Sequence, residues 1–322
     1  MNNRQKSALL EILNDSVIFD ADMASYSTLR AGGRAEALCF INSLALLTAV
    51  MGFLNRESIN CMAIGKGSNL LVMDQGIKGA VLILKGELAN IRGRSGNLVT
   101  AGGGVSNREL IKYCIQEGLS DMEFLAGVPG TIGGAVMMNA GAYGKETGDY
   151  IEKIGIVTSS GIAEELFGSG INFSYRGSSV PERSVIYSVT IKLRNDERAQ
   201  IKERVEKNLS MRRASQPLDM PNCGSVFKNP QGDFAARLIE ASGLKGFKIG
   251  GAMISRKHAN FIVNMGDAKA SDILALIEAA RKRVKEDSGI VLETEVRVVG
   301  QLKKRSYCPN RLSVEDGPRT TL

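Results

Sequence analysis

The chain has 322 residues, enough for two or three domains, and its hydrophobic (43%) and charged (23%) fractions are those of an ordinary globular protein. A formal net charge of +7 leaves nucleic acid and small phosphorylated anions as partners to weigh. Lys and Arg are spread along the chain, with the densest cluster, Lys303-Lys304-Arg305, near the C-terminus, which argues against a nucleic-acid surface.

Residues 4–14 read as a short amphipathic helix with Leu9, Leu10, Ile12 and Leu13 apolar. Glu11 interrupts that apolar run, so it lacks the unbroken centre of an export signal. Residues 45–54 can form a second helix. Ala80–Leu84 reads as a buried strand, and Leu98–Ala101 as another that runs into Gly102-Gly103-Gly104. A helix is expected over 107–118, with Asn107 near its N-cap and Gly118 as its stop. A glycine-rich stretch fills 126–144. Strands are expected at 151–158 and 185–193, with a Gly/Ser-rich segment, 159–179, between them.

Composition shifts near Asn195, where a domain boundary is expected. Residues 197–213 are charged and helical, with Ile201, Val205 and Leu209 on one stripe. Further helices are expected over 234–242, closed by Gly243, and over 271–287, where Ile273, Ile277, Ala280 and Val284 form the apolar face. A strand over 290–299 follows, and 301–322 reads as a mobile polar tail. No stretch reaches the ~18 to 20 apolar residues of a spanning helix, so a soluble, cytoplasmic protein is expected. The five cysteines are scattered, without a CxxC pair, and read as buried free thiols; with His258 the only histidine, no metal is expected.

Five segments could carry chemistry. In Ala63–Val72 apolar residues flank a Gly65-Lys66-Gly67 turn, but Leu70 replaces the third glycine of a dinucleotide fingerprint and no Gly-Lys-Ser/Thr follows. The turn is either a plain hairpin or a nest of amides for a pyrophosphate. The run Leu125–Gly144 has six glycines among small and apolar residues. It is either a structural loop or backbone wrapped around a flat or phosphorylated ligand. Arg176, in Phe173-Ser174-Tyr175-Arg176, read alone is a surface charge. Ser225, between Gly224 and an apolar pair, lacks the frame of a hydrolase nucleophile, which leaves the role of proton donor open. In Leu292–Val299, Leu292, Thr294, Val296 and Val298 alternate with Glu293, Glu295 and Arg297, so one face of a strand would be buried and the other charged.

Taken in order, these segments resemble the UDP-N-acetylenolpyruvoylglucosamine reductase family from about Ser27 to Gly300. The resemblance is carried by Thr28–Gly33, Gly65–Val72, Ala126–Gly144, Tyr175–Ser178, Gln216-Pro217, Gly224–Pro230, Lys257–Asn264 and Glu295–Arg297. It implies an α/β (α+β) fold: a two-lobed FAD-binding domain of the vanillyl-alcohol-oxidase/p-cresol-methylhydroxylase type plus a smaller α+β substrate domain. On this chain the lobes would be about 1–86 and 87–195. The substrate domain would be 196–300, with strand 290–299 returning to the active site. Non-covalent FAD would be held by Gly65, Lys66, Gly67, Ser68, Asn69 and Leu70, and by Gly127, Val128, Pro129, Gly130, Thr131, Gly133, Gly134, Asn139, Ala140 and Gly141. Arg176, Ser225 and Glu295 would be the catalytic trio. Tyr175, Asn229, Arg213 and Arg297 would line the substrate, and His258 would be structural.

The implied reaction uses NADPH to reduce UDP-N-acetylglucosamine enolpyruvate to UDP-N-acetylmuramate in peptidoglycan precursor synthesis. Arg176 would stabilise the enolate, a protonated Glu295 would assist, and Ser225 would supply a proton. The resemblance is to the shorter-loop branch of the family. It departs from the pattern at Ser215, where many members carry Lys before Gln-Pro, and at Lys66 within the glycine turn. A monomer without nucleic-acid or membrane partners is expected. The alternatives are another FAD oxidoreductase of the same fold acting on an alcohol or sugar, and a non-catalytic nucleotide- or nucleic-acid-binding protein.

Overall fold

The computed structural model of the chain describes residues 1–300, so the tail expected over 301–322, with its Lys303–Arg305 cluster and Cys308, lies outside the described residues. Helix α1 (Asn3–Leu13) opens on a capping box in which Asn2 and Gln5 satisfy each other's amides. It packs with α2 (Leu44–Arg56) on a four-stranded sheet ordered Val17–Asp22, Arg34–Ile41, Ile77–Leu84, Cys61–Ala63. The first pair is antiparallel and the other two are parallel. Ile77–Leu84 is apolar almost throughout because both its faces are covered. Leu82 and Leu84 join Leu9, Leu47, Val50 and Leu54 in one core. Val81 and Ile83 join Met23, Leu38, Leu70 and Val72 in another.

The second sheet is antiparallel and five-stranded, ordered Ala163–Phe167, Ile151–Val157, Val185–Lys192, Leu98–Gly102, Ile91–Ser95. Helix α3 (Asn107–Glu117) covers it and ends at Gly118, whose φ of 65° places it in the left-handed region. Its N-cap is Ser106, directly before Asn107: Ser106 and Glu109 form a capping box, and the Asn107 amide turns aside to donate to the Val128 carbonyl at 3.0 Å. Helix α4 (Ile132–Met137) lies inside the glycine-rich stretch. A Cβ on Gly133 would fall 2.9 Å from the Gly103 carbonyl oxygen, so this glycine lets the helix close on the sheet.

Helix α5 (Arg198–Ser215) packs on this second layer, with Val205 and Leu209 in its core, Arg204 on Glu123, and Asn208 on the Glu123 carbonyl. The composition shift at Asn195 thus marks the start of a helix that still belongs to the second layer.

A third layer follows, with strands Lys248–Ile249, Ala252–Ile254 and Ile262–Asn264 under α6 (Ala235–Ala241) and α7 (Ala270–Ser288). Its core holds Leu238, Ile239, Ile273, Leu276 and Ile277, together with Leu29, Ala31, Leu71 and Met73 from the N-terminal part of the chain. Polar ties reinforce the junction. Asp74 accepts from the Ala270 and Ser271 amides at the start of α7, and Asn264 donates to the Leu29 carbonyl.

The strand expected over 290–299 forms a ladder only at its end, where Arg297–Val299 runs parallel to Leu70–Val72, apart from a single antiparallel bridge between Thr294 and Phe227. Before that, the backbone is held by the other side: Lys228 donates to the Glu293 carbonyl, and Glu295 to the Val226 carbonyl. The change of partner breaks the alternation. Leu292 and Val296 are buried as expected, but Val298 is 38% exposed and Glu295 is largely enclosed. Among the described residues no helix is long and apolar enough to cross a membrane.

Candidate active site

The Gly65–Asn69 turn lies between strands Cys61–Ala63 and Leu70–Val72. Gly67 has φ 61°, and a Cβ there would stand 2.2 Å from the Tyr26 carbonyl oxygen. A Cβ on Gly65 would meet Thr131 Oγ1 at 2.5 Å, and Ser68 Oγ donates to the Pro129 carbonyl at 2.6 Å. The two glycine-rich segments therefore meet, one from each sheet layer.

Among the described residues, the amides of Gly65, Lys66, Gly67, Ser68 and Asn69 donate to no protein acceptor, nor do those of Gly130 and Thr131. The bonds from Asn107 to the Gly130 carbonyl and from Ile132 to the Val105 carbonyl set that turn so that the Thr131 amide points away from its neighbour strand. Asn107 Oδ1 is buried beside it without a partner. Contiguous free amides on tight turns, with Lys66 beside them, make a nest for a dinucleotide diphosphate, so these residues fit FAD.

Three residues expected to hold the cofactor do other work. Asn139 has 0% exposure, so it offers a ligand no surface. Its Nδ2 donates to Glu146 Oε2 (2.7 Å) and the Ser174 carbonyl (3.0 Å), and its Oδ1 accepts from the Gly148 amide (2.9 Å). Leu70 packs its side chain in the core with Met23 and Val72. Gly133 donates its amide to the Gly103 carbonyl in the α4 packing described above. Gly127 takes φ 73° and its carbonyl accepts from Arg212 Nε at 3.1 Å. Ala140 accepts from the Thr147 hydroxyl, and Gly141 from Arg176.

The catalytic candidates converge beside this nest. Strands Phe173–Ser174 and Gly177–Ser178 form a hairpin with Tyr175-Arg176 at its turn, and Arg176 sits at φ 60°. Arg176 Nε donates to Glu295 Oε1 at 2.9 Å, and its Nη2 to the Gly141 carbonyl at 3.2 Å. Both side chains of the pair are mostly enclosed, at 18% and 17% exposure. Burial raises the Glu295 carboxyl above the usual carboxylate range, against the opposing pull of Arg176 and Lys228.

The backbone around Glu295 is tied on both sides. Its carbonyl accepts from Asn69 Nδ2 at 3.0 Å, and its amide donates to the Val226 carbonyl at 2.8 Å. Ser225 directly precedes Val226, is half-buried, and follows Gly224 at φ 77°. Asn260 anchors the same segment through both the amide and the carbonyl of Phe227.

Tyr175 and Asn229 are brought together: the Tyr175 hydroxyl accepts from the Asn229 amide at 3.3 Å. Asn229 Oδ1 accepts from Ala235 at the start of α6, which leaves its Nδ2 for a ligand. Arg213 is exposed, with only its carbonyl engaged, by Lys257. Arg212, rather than Arg213, reaches the Gly127 turn, and burial lowers its pKa. The Arg297 side chain is exposed; its amide, bonded to the Asn69 carbonyl at 3.1 Å, is what closes the site. His258 Nδ1 accepts from the Asn260 amide, and its ring meets Phe261 edge-on at 4.8 Å, a structural role. Burial pushes the Cys39, Cys114 and Cys223 thiols up to about 12, which leaves them unreactive.

The contributions of Asn69, Asn139 and Asn260 side chains were the hardest to see from sequence. The signal available was a single Asn inside an apolar run, Met138-Asn139-Ala140 and Ala259-Asn260-Phe261, which must find partners if it is buried.

Comparison with known proteins gives a consistent result. The family "FAD binding domain" matches residues 35–166, and "UDP-N-acetylenolpyruvoylglucosamine reductase, C-terminal domain" matches residues 216–299. The UDP-N-acetylenolpyruvoylglucosamine reductase of Bacillus pumilus (strain SAFR-032) is 38% identical over 298 residues, covering 92% of this chain and 98% of its own. That of Streptococcus pneumoniae (strain 70585) is 40% identical over 305 residues, covering 94% and 100%. The crystal structure of UDP-N-acetylenolpyruvylglucosamine reductase from Thermus caldophilus superposes with a TM-score of 0.76 at 33% identity, over 88% of this chain and 97% of that one.

Proposed function

The chain belongs to the UDP-N-acetylenolpyruvoylglucosamine reductase family, and from that premise we propose which of its residues carry out the reduction. It is an FAD-dependent oxidoreductase that reduces UDP-N-acetylglucosamine enolpyruvate to UDP-N-acetylmuramate with NADPH, a step of peptidoglycan precursor synthesis. FAD, when bound, supplies to the enol ether the hydride that originates on NADPH.

The free amides of Gly65–Asn69, Gly130 and Thr131 hold the diphosphate of the cofactor, helped by the charge of Lys66. Arg176 lies beside the substrate carboxylate and stabilises the negative charge that develops there as the double bond is reduced. A donor so placed is often worth ~3 to 4 kcal/mol. Glu295 acts in its protonated form, which its enclosure favours, and donates a hydrogen bond to the same developing charge. Ser225, on the segment tied to Glu295, hands the proton to the second carbon. Tyr175 and the free Nδ2 of Asn229 line the sugar nucleotide, and Arg212 adds positive charge near the Gly127 turn.

The observation that carries this reading is the enclosed Arg176–Glu295 pair at 2.9 Å, with the Glu295 backbone bonded to Asn69 on one side and to Val226, next to Ser225, on the other. Within the reading, the three layers correspond to two cofactor-binding lobes and a substrate-binding part. All the catalytic groups come from one chain, so a monomer suffices. The reaction is placed in the cytoplasm, without nucleic-acid or membrane partners. Incubation of the purified protein with FAD, NADPH and the enolpyruvyl sugar nucleotide tests it. The product should be heavier than the substrate by two hydrogens, formed in step with NADPH oxidation. NADPH oxidation that is independent of the sugar nucleotide would refute the substrate.

A further inference from the structure

Resting on the assignment of Arg176 above, we propose that Asn139 is a positioning residue for reduction of the sugar nucleotide: it fastens the hairpin that presents Arg176. The hairpin pairs Phe173 with Ser178 and Ser174 with Gly177, and the bonds between Asn172 and Ser179 extend it by a single pair. A two-stranded unit this short does not hold its own shape in water. It is fastened from outside at a few points, and Asn139 joins two of them. Its Nδ2 holds the Ser174 carbonyl, two residues before Arg176, while its Oδ1 holds the Gly148 amide. Gly148 is the surface on which Phe173 rests: a Cβ there would stand 2.4 Å from Phe173 Cγ. Ser178 Oγ, bonded to the Met137 carbonyl at 3.1 Å, pins the other strand to the same segment.

The three partners of Asn139 select an amide. Glu146 Oε2 and the Ser174 carbonyl are acceptors and the Gly148 amide is a donor, so the position needs two donors and one acceptor on a planar group. Aspartate has the shape but would set a carboxylate against both the Glu146 carboxylate and a carbonyl. Alanine would remove the partner that all three groups share, at a position with no exposed surface. Because Asn139 has no exposed surface, its influence must pass through the hairpin rather than through contact with flavin or substrate.

The test separates the two half-reactions in the flavin-loaded enzyme. For Asn139→Asp, bleaching of the flavin by NADPH should stay within about twofold of the parent rate. Its recovery on addition of UDP-N-acetylglucosamine enolpyruvate should slow by about 100-fold, the scale of a ~1 Å misplacement of a catalytic group. Adding Glu146→Gln to that variant gives the new carboxylate a donor in place of a repelling carboxylate, and should restore part of the lost rate. Ser178→Ala removes only the second pin and should slow the same step more mildly, so the idea is testable even if Asn139→Asp does not fold. Equal slowing of both half-reactions, loss of flavin from folded Asn139→Asp, or unchanged substrate-driven recovery in Ser178→Ala would overturn the proposal. A parent enzyme whose bleached flavin does not recover with the sugar nucleotide would instead overturn the functional reading on which it rests.

Discussion

At Glu295, enclosure and a guanidinium pull in opposite directions on one carboxyl group, and enclosure wins: the pKa is raised although Arg176 donates to it at 2.9 Å. Raising an acid's pKa extends its neutral form to higher pH, and only that form can donate a hydrogen bond to the substrate. The substrate half-reaction should therefore be fast below the raised pKa and fall as pH climbs through it. Glu295→Gln should lower the rate and flatten that alkaline limb, as rapid-mixing rates across pH would show. A limb that persists in the variant would assign it to another group. Ser225 can be isolated in the same way. Ser225→Ala should leave NADPH-driven bleaching intact and slow the substrate-driven step by about 100- to 10,000-fold, the usual worth of general acid catalysis. Ser225→Cys, which keeps a proton to give, should recover part of it.

The glycine turn and the strand Arg297–Val299 do their work as elements. Gly67 stands at φ 61° with a carbonyl oxygen 2.2 Å from where a Cβ would be, so Gly67→Ala must move the backbone that carries the free amides. Left-handed strain alone costs about 1 to 3 kcal/mol. Gly67→Ala should weaken flavin binding by about tenfold or more on that scale, measured by titrating the cofactor-free protein with FAD. Tight FAD binding by this variant would remove the diphosphate from this turn.

Much of this level was legible in the chain. The run Ala80–Leu84, the Gly118 stop and the apolar stripes of α5 and α7 obey local rules. What local rules could not give was pairing between distant segments. Asn107 lies beside the N-cap as expected, and Ser106 takes the cap itself because Glu109 stands three residues on and completes the capping box. The alternation from Leu292 to Val299 looked like one strand. It fails because the backbone changes partner from Val226 to Asn69 within two residues. The resemblance put Asn139 in the cofactor cradle; its burial depends on Glu146, Gly148 and Ser174, which no spacing rule brings to it.

Over the whole molecule, the third layer is knitted to the first by Leu29, Ala31, Leu71 and Met73 in its core and by Asp74 at the start of α7. That junction sets the Ser225 and Glu295 segments against the Gly65–Asn69 turn. The Arg176 hairpin closes on the same place from the second layer. On the proposed function the two half-reactions would meet there, with the net charge of +7 suited to drawing in two polyanions, NADPH and the UDP-sugar. The visible spectrum of the FAD-loaded protein, recorded without air, examines that arrangement in a single cuvette. The flavin bands should bleach on addition of NADPH and return on addition of UDP-N-acetylglucosamine enolpyruvate. Bands that bleach but return only when oxygen is admitted would contradict the account, leaving a flavoprotein whose substrate is something else.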